Sequence, residues 1–130
     1  MTGLLIDVEQ SKVQIVTDAS SLQDYYKLLN CDLIDIVRRR IGGRHYNIIC
    51  DEEGLLKDNC TPSAFDSAGY AALVGNLLIM GPDIDELGEM SDLKPIDIMH
   101  LQNHIHLMYT NYNRPEGYFV VTDCEYLKIL

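Results

Sequence analysis

Residues 33–50 read LIDIVRRRIGGRHYNIIC, and this stretch decides the fold. Two segments rich in apolar β-formers, 33–37 and 46–50, flank the pair Gly42-Gly43. A two-residue hairpin turn needs residues that tolerate positive φ, and glycine does so without steric cost. The stretch therefore predicts two antiparallel strands joined by a tight glycine turn.

A hairpin and a helix are predicted before this stretch. Apolar runs at 4–8 and 13–17, separated by a polar break, indicate two strands joined by a tight turn. Apolar residues then recur at the helical spacing i, i+3, i+4 and i+7 over 22–29. Ser20 or Ser21 can cap this helix, because a hydroxyl satisfies a free amide of the first turn.

The second half of the chain is predicted to contain a strand and a longer helix. Residues 57–70 are rich in turn formers and indicate a surface loop. The apolar run 71–80 predicts one strand, kinked or bulged at Gly75. An acidic loop follows at 83–92, and the apolar spacing after it predicts a helix over 94–110.

A closing strand is predicted at 118–122, with a short tail or further strand after it. Strands grouped around two separate helices, without regular βαβ alternation, are typical of the α+β class. We expect a single domain over 1–130, with a mostly antiparallel sheet of about five to seven strands and two main helices.

The charge balance restricts the function classes. The chain has 20 acidic and 10 basic side chains and a formal net charge of −10. Such a surface repels phosphates, so nonspecific nucleic acid binding is not expected. Solubility, docking on a basic partner and mimicry of nucleic acid charge stay open. No apolar run approaches the roughly 18–20 residues of a membrane span, and no signal peptide is recognisable, so we expect a cytoplasmic protein without membrane association.

The four cysteines are Cys31, Cys50, Cys60 and Cys124. Their nearest spacing is ten residues, which does not fit the paired spacing of zinc knuckles and ribbons. We expect reduced, mostly buried thiols that pack as small apolar residues. The acidic triplet after Cys50 should raise the pKa of that thiol and weaken it as a nucleophile.

An ordered set of features resembles a family of small proteins, the domain-of-unknown-function family 3846. Residues 21–23 open the first helix, and 33–37 form the next strand. The segment 47–56, NIICDEEGLL, is the most specific piece. Residues 73–81 match the family's later strand, and 91–93 open the second helix.

The resemblance covers about 21–98 and leaves an extension at 99–130. The triplet Arg38–Arg40 is not part of it. The resemblance implies that the gene lies on plasmids, conjugative transposons or phages, beside accessory and anti-defence genes. It implies no activity and carries over no catalytic residues.

A cluster of basic residues departs from the acidic background. Four of the ten basic residues, Arg38, Arg39, Arg40 and Arg44, lie within seven positions, and His45 follows them. Arginines near a glycine turn can clamp a phosphate or carboxylate through two parallel hydrogen bonds. The alternative is a charged edge that prevents aggregation between strands or pairs with the acidic loops.

One weak candidate for a metal site lies on the predicted second helix. His100 and His104 are four residues apart, and Asp97 lies three residues before His100, so all three share one side of a helix. Two imidazoles and a carboxylate could bind zinc or iron. These residues also flank the apolar stripe, where polar side chains are expected in any amphipathic helix.

Motifs of nucleophilic catalysis and phosphate loops are missing from the sequence. This absence and the acidic surface favour a non-enzymatic protein. With the resemblance, which implies this genetic setting, we expect an accessory protein of a mobile element that binds a host or element-encoded protein, for example to block host defence. A binder of a small anionic ligand, such as a nucleotide signal held by Arg38, Arg40 and Arg44, stays open. A metal-dependent enzyme using Asp97, His100 and His104 is the third alternative. No cofactor is predicted, and a homodimer is left open.

Overall fold

The computed structural model describes residues 2–19, 21–54, 61–109 and 112–122. Within these residues it has two helices and nine strands, which form two mostly antiparallel sheets. The predicted α+β class with two main helices is confirmed, and the strands are divided between two sheets. Neither described helix is long and apolar enough to cross a membrane.

In chain order, the elements are β1 (Gly3–Asp7), β2 (Lys12–Val16), α1 (Leu22–Leu29), β3 (Ile34–Ile41), β4 (Arg44–Asp51), β5 (Pro62–Phe65), β6 (Ala71–Val74), β7 (Leu77–Met80), α2 (Pro95–Gln102), β8 (Ile105–Tyr109) and β9 (Pro115–Val121). Sheet A has the order β2-β1-β7-β4-β3, and each neighbouring pair is antiparallel. Sheet B has the order β6-β5-β9-β8, in which β5 and β9 are parallel. The predicted hairpin of residues 33–50 is confirmed as β3 and β4. Among the strands of the described residues, β3 lies at one edge of sheet A.

Helix α1 covers one face of sheet A. It begins with a capping box, in which Ser21 Oγ accepts from the Asp24 amide and Asp24 Oδ2 accepts from the Ser21 amide. Asn30 ends the helix in the left-handed conformation, with φ 51°. Tyr25 and Leu29 are buried in one cluster with residues of β4 and β7. The predicted first helix is therefore confirmed.

Sheet B and α2 cover the opposite face of sheet A. The core between them contains buried residues of both sheets and Leu101 of α2. Burial of apolar side chains in such a core makes the largest favourable contribution to the stability of a domain of this length. The fully buried side chains of this core are Leu4, Ile6, Ile41, Tyr46, Ile48, Ala64, Leu77, Ile79, Leu101 and Val120.

The predicted helix over 94–110 is wrong in its second half. Helix α2 ends at Gln102, and Ile105–Tyr109 is the strand β8, which pairs with β9. Ile98, Leu101 and Ile105 do all face the core. Their spacing fits a helix, but the backbone after Gln102 satisfies its hydrogen bonds through β9 instead. Residue 110 lies outside the described residues.

The predicted single strand over 71–80 is two strands in different sheets. Gly75 takes φ +78°, and the chain passes there from β6 in sheet B to β7 in sheet A. Glycine adopts this conformation at little cost. The predicted loop over 57–70 contains β5, and its residues 57–60 lie outside the described part of the chain. The closing strand is confirmed as β9, whereas 123–130 is not described.

Candidate functional site

The turn between β3 and β4 is set by two glycines. Gly42 and Gly43 have φ values of +57° and +84°. Positive φ at both central residues matches the right-handed twist of a two-residue hairpin. The flanking residues Ile41 and Arg44 pair directly, which fixes the register of the whole hairpin.

The backbone of β3 alternates between facing β4 and facing outward. Residues that flank a two-residue turn exchange hydrogen bonds, so Ile41 and every second residue before it bond to β4. The backbone groups of Ile34, Ile36, Arg38 and Arg40 therefore point away from the sheet.

Two side chains occupy outward backbone groups of this edge. Asp35 Oδ1 accepts from the Ile36 amide at 2.9 Å. Arg39 Nη1 donates to the Arg38 carbonyl oxygen at 3.0 Å. An unpaired strand edge is a template for unwanted pairing, and charged side chains are a common way to blunt it. Asp35 and Arg39 act here as edge caps.

The pleat of β3 separates the predicted arginine cluster between two faces. Arg38 and Arg40 pair with Asn47 and His45, so these four residues share the face of sheet A that α1 covers elsewhere. Arg44 pairs with Ile41, and Ile41 belongs to the core on the other face. A clamp made of the three side chains of Arg38, Arg40 and Arg44 is therefore not assembled.

Apolar surface lies beside the arginines of β3. Leu33 is 45% exposed and Ile36 is 44% exposed. Ile36 shares the α1 face with Arg38, but α1 packs over β4 and β7. The edge strand thus presents two apolar side chains followed by three arginines, of which Arg38 is exposed and the next two are partly buried. We call residues 33–40 the arginine edge.

Asp97 joins the start of α2 to the hairpin from the core side. Its side chain is almost fully buried, and Oδ2 accepts from the Lys94 amide at 3.0 Å. Oδ1 accepts from the Tyr46 hydroxyl at 3.4 Å and lies 3.6 Å from Arg44 Nη2. The pKa of Tyr46 is raised to about 12, first by burial and then by the Asp97 charge, while the Arg44 charge opposes both.

The two histidines of the predicted metal site hold the hairpin tip instead. His100 Nε2 lies 2.9 Å from the Ile41 carbonyl oxygen, and His104 Nδ1 lies 2.8 Å from the His100 carbonyl oxygen. Because carbonyls only accept, both of these nitrogens carry hydrogen. The rings are 4.4 Å apart, and the His104 ring lies against Gly42.

This geometry gives the metal hypothesis no support. The Asp97 carboxylate points toward the Lys94 amide, Tyr46 and Arg44. Across the described ranges, no group of three His, Cys, Asp or Glu side chains is placed to hold a metal ion. The contacts of Asp97, His100 and His104 account for their positions through packing of α2 against the hairpin.

Cys50 is buried and reduced, as predicted, and so is Cys31. The pKa of the Cys50 thiol is raised to about 11, and burial is the largest cause. The Asp35 charge adds to this rise, the Arg39 charge opposes it, and the Asp51 charge raises the pKa by less. The predicted direction is confirmed, with burial rather than the acidic triplet as the main cause. Cys60 and Cys124 lie outside the described residues.

A groove of about 490 Å³ opens between β2 and sheet B. Val13 and Ile15 form one wall, and Ile105 and Tyr118 form the other. Its lining includes Lys12 and Tyr118 but no carboxylate, histidine or cysteine. The arginine edge is the stronger candidate site.

The sequence reasoning missed the roles of Asp35, Leu33 and Ile36 in this edge. A signal for them was present, because an acidic residue between isoleucines is unusual in a strand that is covered on both faces. Whether a strand lies at the edge depends on the order of the sheet, which the local pattern does not contain.

Comparison with known families gives one match. The family model Domain of unknown function (DUF3846) matches residues 1–106. Neither the curated proteins nor the solved structures give a match.

Proposed function

This chain belongs to the DUF3846 family, and we propose that it is a non-enzymatic protein-binding module. Its docking surface is the arginine edge, and its partner presents an acidic segment. The observation that carries this proposal is the place of three consecutive arginines on the edge strand of the central sheet.

Charge supports an acidic partner at this surface. The chain carries a net charge of −10, so its overall field repels anions at long range. At about 0.15 M salt that field is screened beyond roughly 8 Å, whereas contacts at Arg38 and Arg40 act at shorter distances. The charges therefore favour a partner that makes direct contact with the arginine edge, and they disfavour polyanions that approach the rest of the surface.

Apolar contact supports a protein rather than a nucleic acid. Leu33 and Ile36 are each more than two fifths exposed beside the arginines. Removing apolar surface from water contributes about 25 cal/mol per Å², and nucleic acid phosphates offer no such surface. A segment with acidic and apolar residues satisfies both parts of the arginine edge.

A mobile genetic element as the source of this protein is part of the same proposal. The likeness to small proteins of plasmids, conjugative transposons and phages supports a cytoplasmic accessory protein of a mobile element. Binding that blocks a host defence protein is one form that such an accessory role takes. The proposed docking surface does not depend on which host or element protein is bound.

A small anionic ligand is the second candidate. Arg38, Arg40 and His45 share one face of the hairpin, which favours anion contact there. The third arginine of the original hypothesis, Arg44, lies on the other face beside Asp97. If phosphate or a nucleotide raises the Tm of the wild type and not of an Arg38→Ala/Arg40→Ala variant, this candidate replaces the first.

Fluorescence anisotropy with a labelled acidic peptide tests the docking surface. The probe is a decapeptide of alternating Glu and Val, and its Lys-Val counterpart is the reference. We expect binding of the acidic peptide and loss of about tenfold in affinity, or ~1.4 kcal/mol, in an Arg38→Glu/Arg40→Glu variant. The control is a Lys12→Glu/Lys27→Glu variant. It changes the net charge by the same amount, at exposed residues that lie outside β3.

Two results would contradict the proposal. One is that the acidic peptide does not bind wild-type protein at low ionic strength. The other is that the Lys12→Glu/Lys27→Glu variant weakens binding as much as the arginine variant does, because the effect would then reflect net charge alone.

A further inference from the structure

We propose that the acidic partner segment binds by adding a sixth strand to sheet A, antiparallel to β3. This inference rests on the proposed function and specifies how the partner is held. It predicts that backbone hydrogen bonds contribute to affinity and that the partner follows a defined order of acidic and apolar residues.

The length and position of β3 support strand addition. β3 has eight residues, compared with about 5–6 for an average strand, and it has β4 on one side. Its outward backbone groups belong to alternate residues, including Ile34, Ile36 and Arg38. Extended peptides bind to such edges through main-chain hydrogen bonds, and alternate side chains supply specificity.

The caps on this edge are ones that a new strand can replace. Asp35 holds the Ile36 amide and Arg39 holds the Arg38 carbonyl, each with a side chain from an exposed or partly exposed position. An incoming strand offers a carbonyl to the Ile36 amide and an amide to the Arg38 carbonyl. The exchange conserves the hydrogen bonds of the β3 backbone, so the main cost is the ordering of the incoming strand.

The cap at Arg39 gives a reason for selecting acidic strands. A carboxylate opposite Arg39 draws the guanidinium into a charge-assisted pair, which releases the Arg38 carbonyl for the partner's amide. A neutral or basic residue at that position leaves the guanidinium on the carbonyl. The same contact thus blunts the edge against other strands and opens it to an acidic one.

The order of charges along β3 fixes the partner's sequence. Residues 38–40 are all arginine, Ile36 and Val37 are apolar, and Asp35 is acidic. An antiparallel partner therefore reads three acidic residues, then two apolar residues, then a residue that is not acidic. Antiparallel pairing is expected because each neighbouring pair in sheet A is antiparallel. It is also slightly more stable per residue than parallel pairing.

N-methylated peptides test strand addition directly. The probe is Thr-Glu-Glu-Glu-Val-Ile-Thr, labelled at its N-terminus, with its second Glu opposite Arg39. In this register, the amides of the third Glu and of Ile, opposite Arg38 and Ile36, point to β3. The test peptide is N-methylated at those two amides and so loses two donors to β3. The control peptide is N-methylated at the second Glu and at Val, whose amides point away from β3, and it keeps both donors.

We expect the first methylated peptide to lose about tenfold or more in affinity, and the second to bind within about threefold of the parent. Equal affinities for the two methylated peptides would overturn strand addition while leaving the docking surface intact. No binding of the parent peptide would overturn the docking surface itself.

A second copy of the chain is the competing occupant of this edge. If β3 were covered by a second copy, the apparent affinity for the parent peptide would fall as protein concentration rises. That dependence, with a matching change of sedimentation coefficient, would overturn the inference.

Discussion

The imidazole of His104 lies directly against the backbone of Gly42, so the turn after α2 supports the tip of the β3–β4 hairpin. A Cβ on Gly42 would overlap the His104 ring, whereas a Cβ on Gly43 would meet nothing within 4 Å. Both glycines have positive φ, so the two positions differ in their surroundings more than in their backbone.

This contact predicts unequal costs for two matched substitutions. Gly43→Ala should lower the free energy of unfolding by about 1–2 kcal/mol, because a left-handed conformation costs that much for a residue with a Cβ. Gly42→Ala should cost at least ~1 kcal/mol more, because the ring of His104 must also move. Urea denaturation of both variants measures the difference, and equal losses would show that His104 does not pack on the hairpin.

Asp97 predicts a large loss of stability when its carboxylate is removed. Asp97→Ala leaves the Lys94 amide without its cap and the buried Tyr46 hydroxyl without its acceptor. We expect a loss of about 2–4 kcal/mol, since a lost cap and an unsatisfied buried group each cost about 1–2 kcal/mol. Asp24→Ala removes the matching bond from the Ser21 amide to Asp24 Oδ2 at the exposed start of α1, and only about 1 kcal/mol should be lost. Similar losses for the two variants would contradict the buried role of Asp97.

We expect the folded protein to lose stability at alkaline pH because of the raised pKa values of Cys50 and Tyr46. Their folded-state pKa values rise from 9.0 to about 11 and from 10.0 to about 12. The unfolded chain therefore releases these protons first, and high pH favours unfolding. The stabilisation is complete below pH 9 and disappears as the pH rises through 11 and 12.

Urea denaturation between pH 8 and pH 11 measures this effect. Cys50→Ala and Tyr46→Phe should each show a smaller decrease in unfolding free energy over that range than the wild type. Parallel pH profiles for wild type and both variants would mean that these groups ionise no differently in the folded and unfolded states.

Much of the local structure could be predicted from sequence, because local chemistry determines it. The Gly42-Gly43 turn follows from the need for positive φ, and α1 follows from its apolar spacing and the Ser21 cap. The end of α2 could not be predicted in this way. Ile105 continues the helical spacing of Leu101, yet pairing with β9 places it in a strand.

The candidate site was predictable in composition and not in arrangement. The arginines are visible as a charge anomaly in residues 38–44. The separation of Arg44 from Arg38 follows from the register of β3 and β4, and the contact with Asp97 joins segments 53 residues apart. The edge position of β3 depends on the order of five strands, which only the tertiary structure supplies.

The edge caps predict a change in self-association. An Asp35→Ala/Arg39→Ala variant keeps the net charge but uncovers the Ile36 amide and the Arg38 carbonyl. We expect a larger sedimentation coefficient than that of the wild type at equal concentration, because an uncapped edge pairs with other edges. Asp32→Ala/Lys27→Ala, a charge-neutral change at exposed positions, is the control and should behave as the wild type. If both variants sediment like the wild type, the two contacts do not protect the edge.

The measurement that tests the central claim most directly is an NMR titration of the ¹⁵N-labelled chain with the peptide Thr-Glu-Glu-Glu-Val-Ile-Thr. If the arginine edge is the docking surface, the largest amide shifts fall within residues 33–40, with slowed hydrogen exchange at Ile36. Shifts centred on the groove beside β2 or on the acidic loop at 83–92, with β3 unchanged, would contradict it.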